Sequence, residues 1–238
     1  MLLRLSTNLL TFLVLFDSLH TVSGDRQVQS LLKLPDWEDE RCVVRALQRA
    51  GHRVSLVAVS YSLNPLIERL RTQKPDVVLN FCESFRAKRV LEVEVAACLE
   101  TLKIPFTGAS ARTLSICKDK VLSKQLVSQY LEVAESCIIG TKELLPTCSF
   151  SFPVIVKPVS SEASEGIGLG GLCKTLAGVR KWIKKIRKEF NDDAIVEAYI
   201  PGQDITVGVL GGTRPQVWDP LEICVPKNTK IVTQKIKW

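Results

Sequence analysis

Between Leu9 and Gly108, apolar segments of strand length alternate with segments of helical period. This alternation limits the fold more than any other feature. LLTFLVLF, Leu9 to Phe16, is a short continuous apolar run, the pattern of a strand buried on both faces. Residues 38–50, EDERCVVRALQRA, space Val43, Val44 and Leu47 for one helical face, with acids at the start and Gly51 as a stop. HRVSLVAVS reads as a strand, NPLIERLRTQK as a short helix with proline in its first turn, and PDVVLNF as a strand introduced by Pro75. Residues 89–102 have a helical pattern, and KIPFTG reads as a strand ending at Gly108. The stretch TVSGDRQVQSLLKLPDWEDE, after the first run, reads as loop. Such alternation calls for a parallel sheet covered by helices, because parallel strands need crossover connections.

The first run has a second reading. Arg4 precedes it and V-S-G at 22–24 resembles a small-residue cleavage site, so residues 1–24 also match a signal peptide and a secreted protein. The run is too short for a membrane span. An alternating α/β unit needs a strand first, which favours the buried strand and a cytoplasmic protein. Eight cysteines stand singly, without a C-x-x-C pair, and His20 and His52 are the only histidines, so zinc-ligand spacing is absent. Several cysteines lie in apolar runs, where a thiol acts as a small hydrophobe, and they are expected to be reduced and inert. A net charge of +7 suits an anionic small ligand such as a nucleotide. Nothing reads as a nucleic-acid motif.

Past residue 110 the order changes. A polar-faced helical region, residues 110–131, contains CKDKVLSKQLV. Strands follow near Cys137–Ile139, at Phe152–Val156 and around Ile167–Cys173, then a helix over Leu176–Phe190 and strands at Ala194–Ala198 and Asp204–Leu210. This β-loop-β-α-β order is no longer simple alternation and places a domain boundary near residue 110. The helix sets Val179, Trp182, Ile183, Ile186 and Phe190 on one face and cations opposite, as expected of a packed helix with a solvated basic face.

FPVIVKPVSSEASEGIGLGG holds the first candidate chemistry. Lys157 leaves the end of a rigid strand, and Pro158 stops pairing because it has no N–H. The polar loop Val159–Gly168 can turn back over the site, with Gly166 and Gly168 letting backbone N–H groups approach an anion. Those are the parts of a phosphate clamp, although a plain hairpin with a solvated lysine fits the same residues. IVEAYIPGQDITVGVL then places Glu197 at the end of one strand and Asp204 at the opening of the next. A carboxylate at Glu197 can accept from the adenine amino group and one at Asp204 from ribose hydroxyls. The backbone at Ala198–Ile200 can supply the rest of the adenine pattern.

PDVVLNFCES, LEVEVAACLETLKIPFTG, CKDKVLSKQLV, FPVIVKP, SEASEGI, VEAYIPGQDITVGVL and KIKW occur in that order. Together they resemble the ATP-grasp superfamily, and within it the D-alanine–D-alanine ligase-like group. The resemblance implies an α/β, Rossmann-like pre-ATP-grasp domain over residues 1–110, with a parallel sheet. An α+β ATP-grasp lid follows over 111–203, and a truncated C-terminal ATP-grasp subdomain starts at 204–238. It further implies that Lys120 and Lys157 contact the ATP phosphates and that Ser164, within SEASEGI, belongs to a flap over them. Glu197, Tyr199 and Ile200 match the adenine-contacting segment, Asp204 stands where the family has a ribose-binding glutamate, and Lys237 matches a further phosphate-side lysine.

The implied reaction uses ATP and Mg2+ to phosphorylate a small carboxylate, which an amine then attacks to form an amide. In the family the metal ligands come after the KIKW region, so none is assigned here. DSLHTVSGDRQVQSLL holds only Gly24 and no glutamate where the family has a glycine-rich substrate loop. Two functions stay open: an ATP-dependent ligase of which this is the N-terminal part, and a truncated, non-catalytic nucleotide-binding or interaction module. Pairing of the chain with itself as a homodimer also stays open.

Overall fold

The apolar run after Leu9 is the middle strand of a sheet. In the computed structural model, which describes residues 9–22, 24–140, 143, 151–161, 168–211, 214–225 and 231, β1 spans Thr11–Asp17. The chain divides into two units, Met1–Ile116 and Cys117–Trp238. In the first unit β1 is followed by α1 (Asp25–Leu31), α2 (Glu38–Arg49), β2 (Arg53–Val59), α3 (Asn64–Gln73), β3 (Val77–Asn80) and α4 (Glu92–Thr101), and α5 (Ala111–Lys118) runs across the division. The strands are parallel in the order β2-β1-β3. Leu13 and Leu15 pack with Val59, Leu66, Val78 and Leu99, while Val14 and Phe16 pack with Val28, Leu32 and Val44. Burial on both faces explains why the run is continuous rather than alternating.

Two expectations are corrected here. Residues 25–31 form α1 rather than loop; seven residues carry little helical signal of their own, and burial of Val28 and Leu32 against Val14 and Phe16 holds them. KIPFTG contributes a single parallel bridge, Val78 to Phe106, instead of a strand. Pro105 has no N–H, and Val78 N bonds its carbonyl at 2.8 Å.

In the second unit α6 (Lys120–Val127) is separated from α5 by Asp119, whose carboxylate caps it by accepting from Val121 N and Leu122 N at 2.9 and 3.0 Å. Then come β4 (Ser136–Ile139), β5 (Val154–Pro158), β6 (Leu172–Cys173), α7 (Leu176–Phe190) and β7 (Ala194–Ala198). The sheet is antiparallel in the order β4-β7-β5-β6. Val179, Ile183 and Ile186 of α7 pack on Val154, Val156, Ala194 and Val196. Thr175 caps α7 by accepting from Gly178 N at 3.2 Å. Strands β8 (Ile205–Thr206), β9 (Val209–Leu210), β10 (Gln216–Val217) and β11 (Leu221–Glu222) pair as β8 with β11 and β9 with β10. The expected strand Asp204–Leu210 is thus two short pieces.

Lys157 and Pro158 lie inside β5, where Pro158 pairs with Ala194. Proline fits there because the bonded pairs fall at Lys157–Ile195 and Val159–Asp193, so its missing N–H lies on the side away from β7. The expected strand Ile167–Cys173 shrinks to β6 after a 3-10 turn at Leu169–Gly171. Trp182 is the cause. A Cβ on Gly168, Gly170 or Gly171 would lie 3.1, 2.7 or 3.0 Å from its ring atoms, and Lys185 Nζ sits 4.4 Å from the ring centroid. Gly168 therefore serves close packing in an extended backbone (φ −121°); Gly166 lies outside the described residues. Gly170→Ala is expected to lower the second unit's stability by roughly 1–3 kcal/mol through overpacking, read as a lowered midpoint in urea. An unchanged midpoint would show that the indole yields freely.

The reduced-cysteine expectation is corrected at one position. Cys137 is disulfide-bonded, its partner lying outside the described residues; it stands on β4, the sheet edge, half-buried against the core under α7. Cys42, Cys82, Cys98, Cys117, Cys173 and Cys224 are free. Burial, aided by the charges of Asp17, Glu92 and Glu40, pushes the Cys82 thiol well above its usual range, which keeps it inert. No helix of the described residues is long and apolar enough to cross a membrane.

Candidate functional site

Strand alternation sorts the second unit's sheet into two faces. Val154 and Val156 of β5, and Ala194 and Val196 of β7, point to α7, which leaves Lys157 and Glu197 on the opposite face. The register pairs Lys157 with Ile195 and Ile155 with Glu197, so Lys157 and Glu197 are diagonal neighbours, within reach of long side chains. Lys157 Nζ lies 2.5 Å from Glu197 Oε2. From α6, Lys124 Nζ donates to Glu197 Oε1 at 2.8 Å and to the Ala134 carbonyl at 2.7 Å. Lys120, one helical turn earlier, donates to the carbonyls of Val159 (3.1 Å) and Ser161 just beyond β5.

Glu197 is 7% exposed. Burial pushes its carboxyl up, but the Lys157 charge and hydrogen bonds from Lys124 and Lys157 outweigh this and hold it below its ordinary value. Two lysines thus flank one ionised carboxylate, and a third, Lys120, stands at the carbonyls just beyond β5. Such a cluster combines a fixed acceptor with cations able to meet an anion.

Of the residues singled out in the sequence, the structure brings together Lys120, Lys157 and Glu197. Tyr199 follows β7 half-buried, and its N–H bonds the Pro153 carbonyl at 3.1 Å. Ile200 is exposed, and so is Asp204, which stands outside the lysine cluster. Ser164 and Lys237 lie outside the described residues. Lys124 escaped sequence reasoning. Its only signal was its place four residues after Lys120 in CKDKVLSKQ, which puts the two on one helical face. Among the described residues no three His, Cys, Asp or Glu side chains converge as a metal site.

The family model described as D-ala D-ala ligase C-terminus matches residues 127–235. The D-alanine–D-alanine ligase of Gluconobacter oxydans is 28% identical over 181 residues, covering 75% of this chain and 57% of the relative. That of Granulibacter bethesdensis is 30% identical over 180 residues, covering 74% and 55%. The chain therefore spans a little over half the length of these relatives. The structure of D-alanine–D-alanine ligase from Bacillus anthracis complexed with ATP superposes with a TM-score of 0.57 at 17% identity, covering 88% of this chain and 70% of that one; at that identity the match speaks for the fold. Family model, relatives and fold together indicate a chain that is D-alanine–D-alanine ligase-like, of the ATP-grasp type.

Proposed function

We propose that the second unit is the nucleotide-binding part of an ATP-dependent carboxylate–amine ligase, and that ATP binds at Lys120, Lys124, Lys157 and Glu197. The observation that carries this is a buried carboxylate kept ionised by two lysines. Glu197 is an acceptor for the exocyclic amino group of adenine; guanine presents a carbonyl oxygen at the same place and leaves the carboxylate facing another acceptor. Lys157 and Lys120 serve the phosphates, which are stronger acceptors than the carbonyls Lys120 now engages. Tyr199, Ile200 and Asp204 complete the adenosine side, with Ser164 and Lys237 on the phosphate side. The Bacillus anthracis ligase of the same fold, complexed with ATP, supports ATP as the nucleotide.

ATP would supply the phosphoryl group that activates a small carboxylate for attack by an amine. Magnesium, which accompanies such transfer, finds no ligand set among the described residues. Ligation is assigned to a protein of the relatives' full length, and nucleotide capture to the residues present here. We place the protein in the cytoplasm, because cleavage after residue 24 would remove β1, the middle strand of the first unit.

Calorimetric titration of the 238-residue protein with ATP and with GTP tests this. ATP is expected to bind, with GTP at least roughly ten-fold weaker, the usual penalty for an unpaired buried acceptor. Absence of ATP binding, or equal affinity for the two, would refute it.

A further inference from the structure

Between Lys157 and the loop that follows, the chain runs through a short stem, Val159–Ser161. This stem buries little: Ser160 is exposed, and Val159 and Ser161 are half-buried. Hydrogen bonds set its course instead. β5 and β7 end their ladder at the pair Pro158 and Ala194, and continuing that register places Val159 opposite Asp193 and Ser160 opposite Asp192. Val159 N donates to the Asp193 carbonyl at 3.0 Å. At the next position the partner is a side chain. Asp192 accepts from Ser160 N at 2.7 Å (Oδ2) and from Ser160 Oγ at 3.3 Å (Oδ1).

The turn that delivers Asp192 is also defined. Asn191 caps α7 in the left-handed conformation (φ 49°, ψ 40°), its N–H bonding the Arg187 carbonyl at 3.1 Å, and asparagine tolerates that conformation better than most residues. The other edge of the stem is held by Lys120 through the Val159 and Ser161 carbonyls. Asp192 therefore holds the middle residue of the stem, and Lys120 the carbonyls of the residues before and after it.

We propose that Asp192 is a positioning residue of the phosphate half of the nucleotide site. By fixing Ser160 it fixes the carbonyls that orient Lys120, and so the place where that ammonium meets a polyphosphate. This inference rests on the nucleotide assignment above. It separates the two halves of the ligand: Asp192 acts on the phosphates through the stem, whereas adenine is met by Glu197, which Lys124 and Lys157 hold independently of Asp192.

The test compares the parent with Asp192→Ala and Asp192→Asn by calorimetric titration with ATP and with adenosine, alongside urea unfolding. Asp192→Ala is expected to weaken ATP binding about ten-fold, the loss of two hydrogen bonds, with adenosine affinity within about two-fold of the parent. Asp192→Asn is expected to restore ATP affinity, because its amide oxygen can accept from Ser160 N and its NH2 can donate to Ser160 Oγ. Unchanged ATP affinity in Asp192→Ala would overturn the inference. So would an equal loss of ATP and adenosine, which would make Asp192 a support of the whole unit, or an asparagine variant no better than alanine. A parent that binds neither ligand would instead overturn the nucleotide assignment itself, and this inference with it.

Discussion

Lys157→Ala is expected to weaken ATP binding on the order of thirty-fold, the worth of a charge-assisted hydrogen bond to phosphate. From the sequence alone, a lysine at a strand end facing a cleft would be removable with the fold nearly unchanged. The structure alters that second half. Lys157 lies within β5 and pairs with Glu197 at 2.5 Å, 24% exposed. Its removal leaves Glu197 with Lys124 as its remaining cation in the cluster, so the variant should also lose about 1 kcal/mol of stability. Titration with ATP and urea unfolding of the same samples separate the two effects. Equal ATP affinity in parent and variant would remove Lys157 from the site, whatever the unfolding shows.

Glu197→Gln is expected to cost about 2 kcal/mol at neutral pH, because two partly buried lysines then face an amide instead of a carboxylate. The pH dependence gives a sharper signature. Folding holds the Glu197 carboxyl below its ordinary value of 4.5. A depressed folded-state pKa contributes stability that is fully present above about 4.5 and is lost as pH falls through the lower folded value. The glutamine variant cannot lose it. The stability gap between parent and variant, measured by urea unfolding across this range, should therefore be widest near neutrality and narrow below pH 4.5. A gap independent of pH would mean that the Lys–Glu charges are not what the substitution removes.

Both substitutions act on a contact that no local pattern announces. Residues 176–190 and 194–198 were legible in full, since a 3.6-residue period and a β-branched run are local signals. β1 was legible from its unbroken apolar run, because a strand buried on both faces has no polar side to alternate with. α1 was not legible. Its helix is held by Val28 and Leu32 against a strand, while its own residues look like loop. Gly168 was legible as a special position but for another reason, since the neighbour that requires a missing side chain there is Trp182, on a later helix.

The sequence by itself determined the alternating first unit, the α+β order of the second, and the presence of two lysines and a carboxylate at Lys120, Lys157 and Glu197. These depend on periodicity, turns and chemical type, all of which are local. Only the tertiary structure decided that Lys157 and Glu197 are diagonal partners, that Lys124 joins them from a residue 73 positions away, and that Asp192 binds Ser160 just past the backbone ladder. Those follow from strand register and from the packing of α6 beside the sheet, and both are set by contacts between segments far apart in the chain.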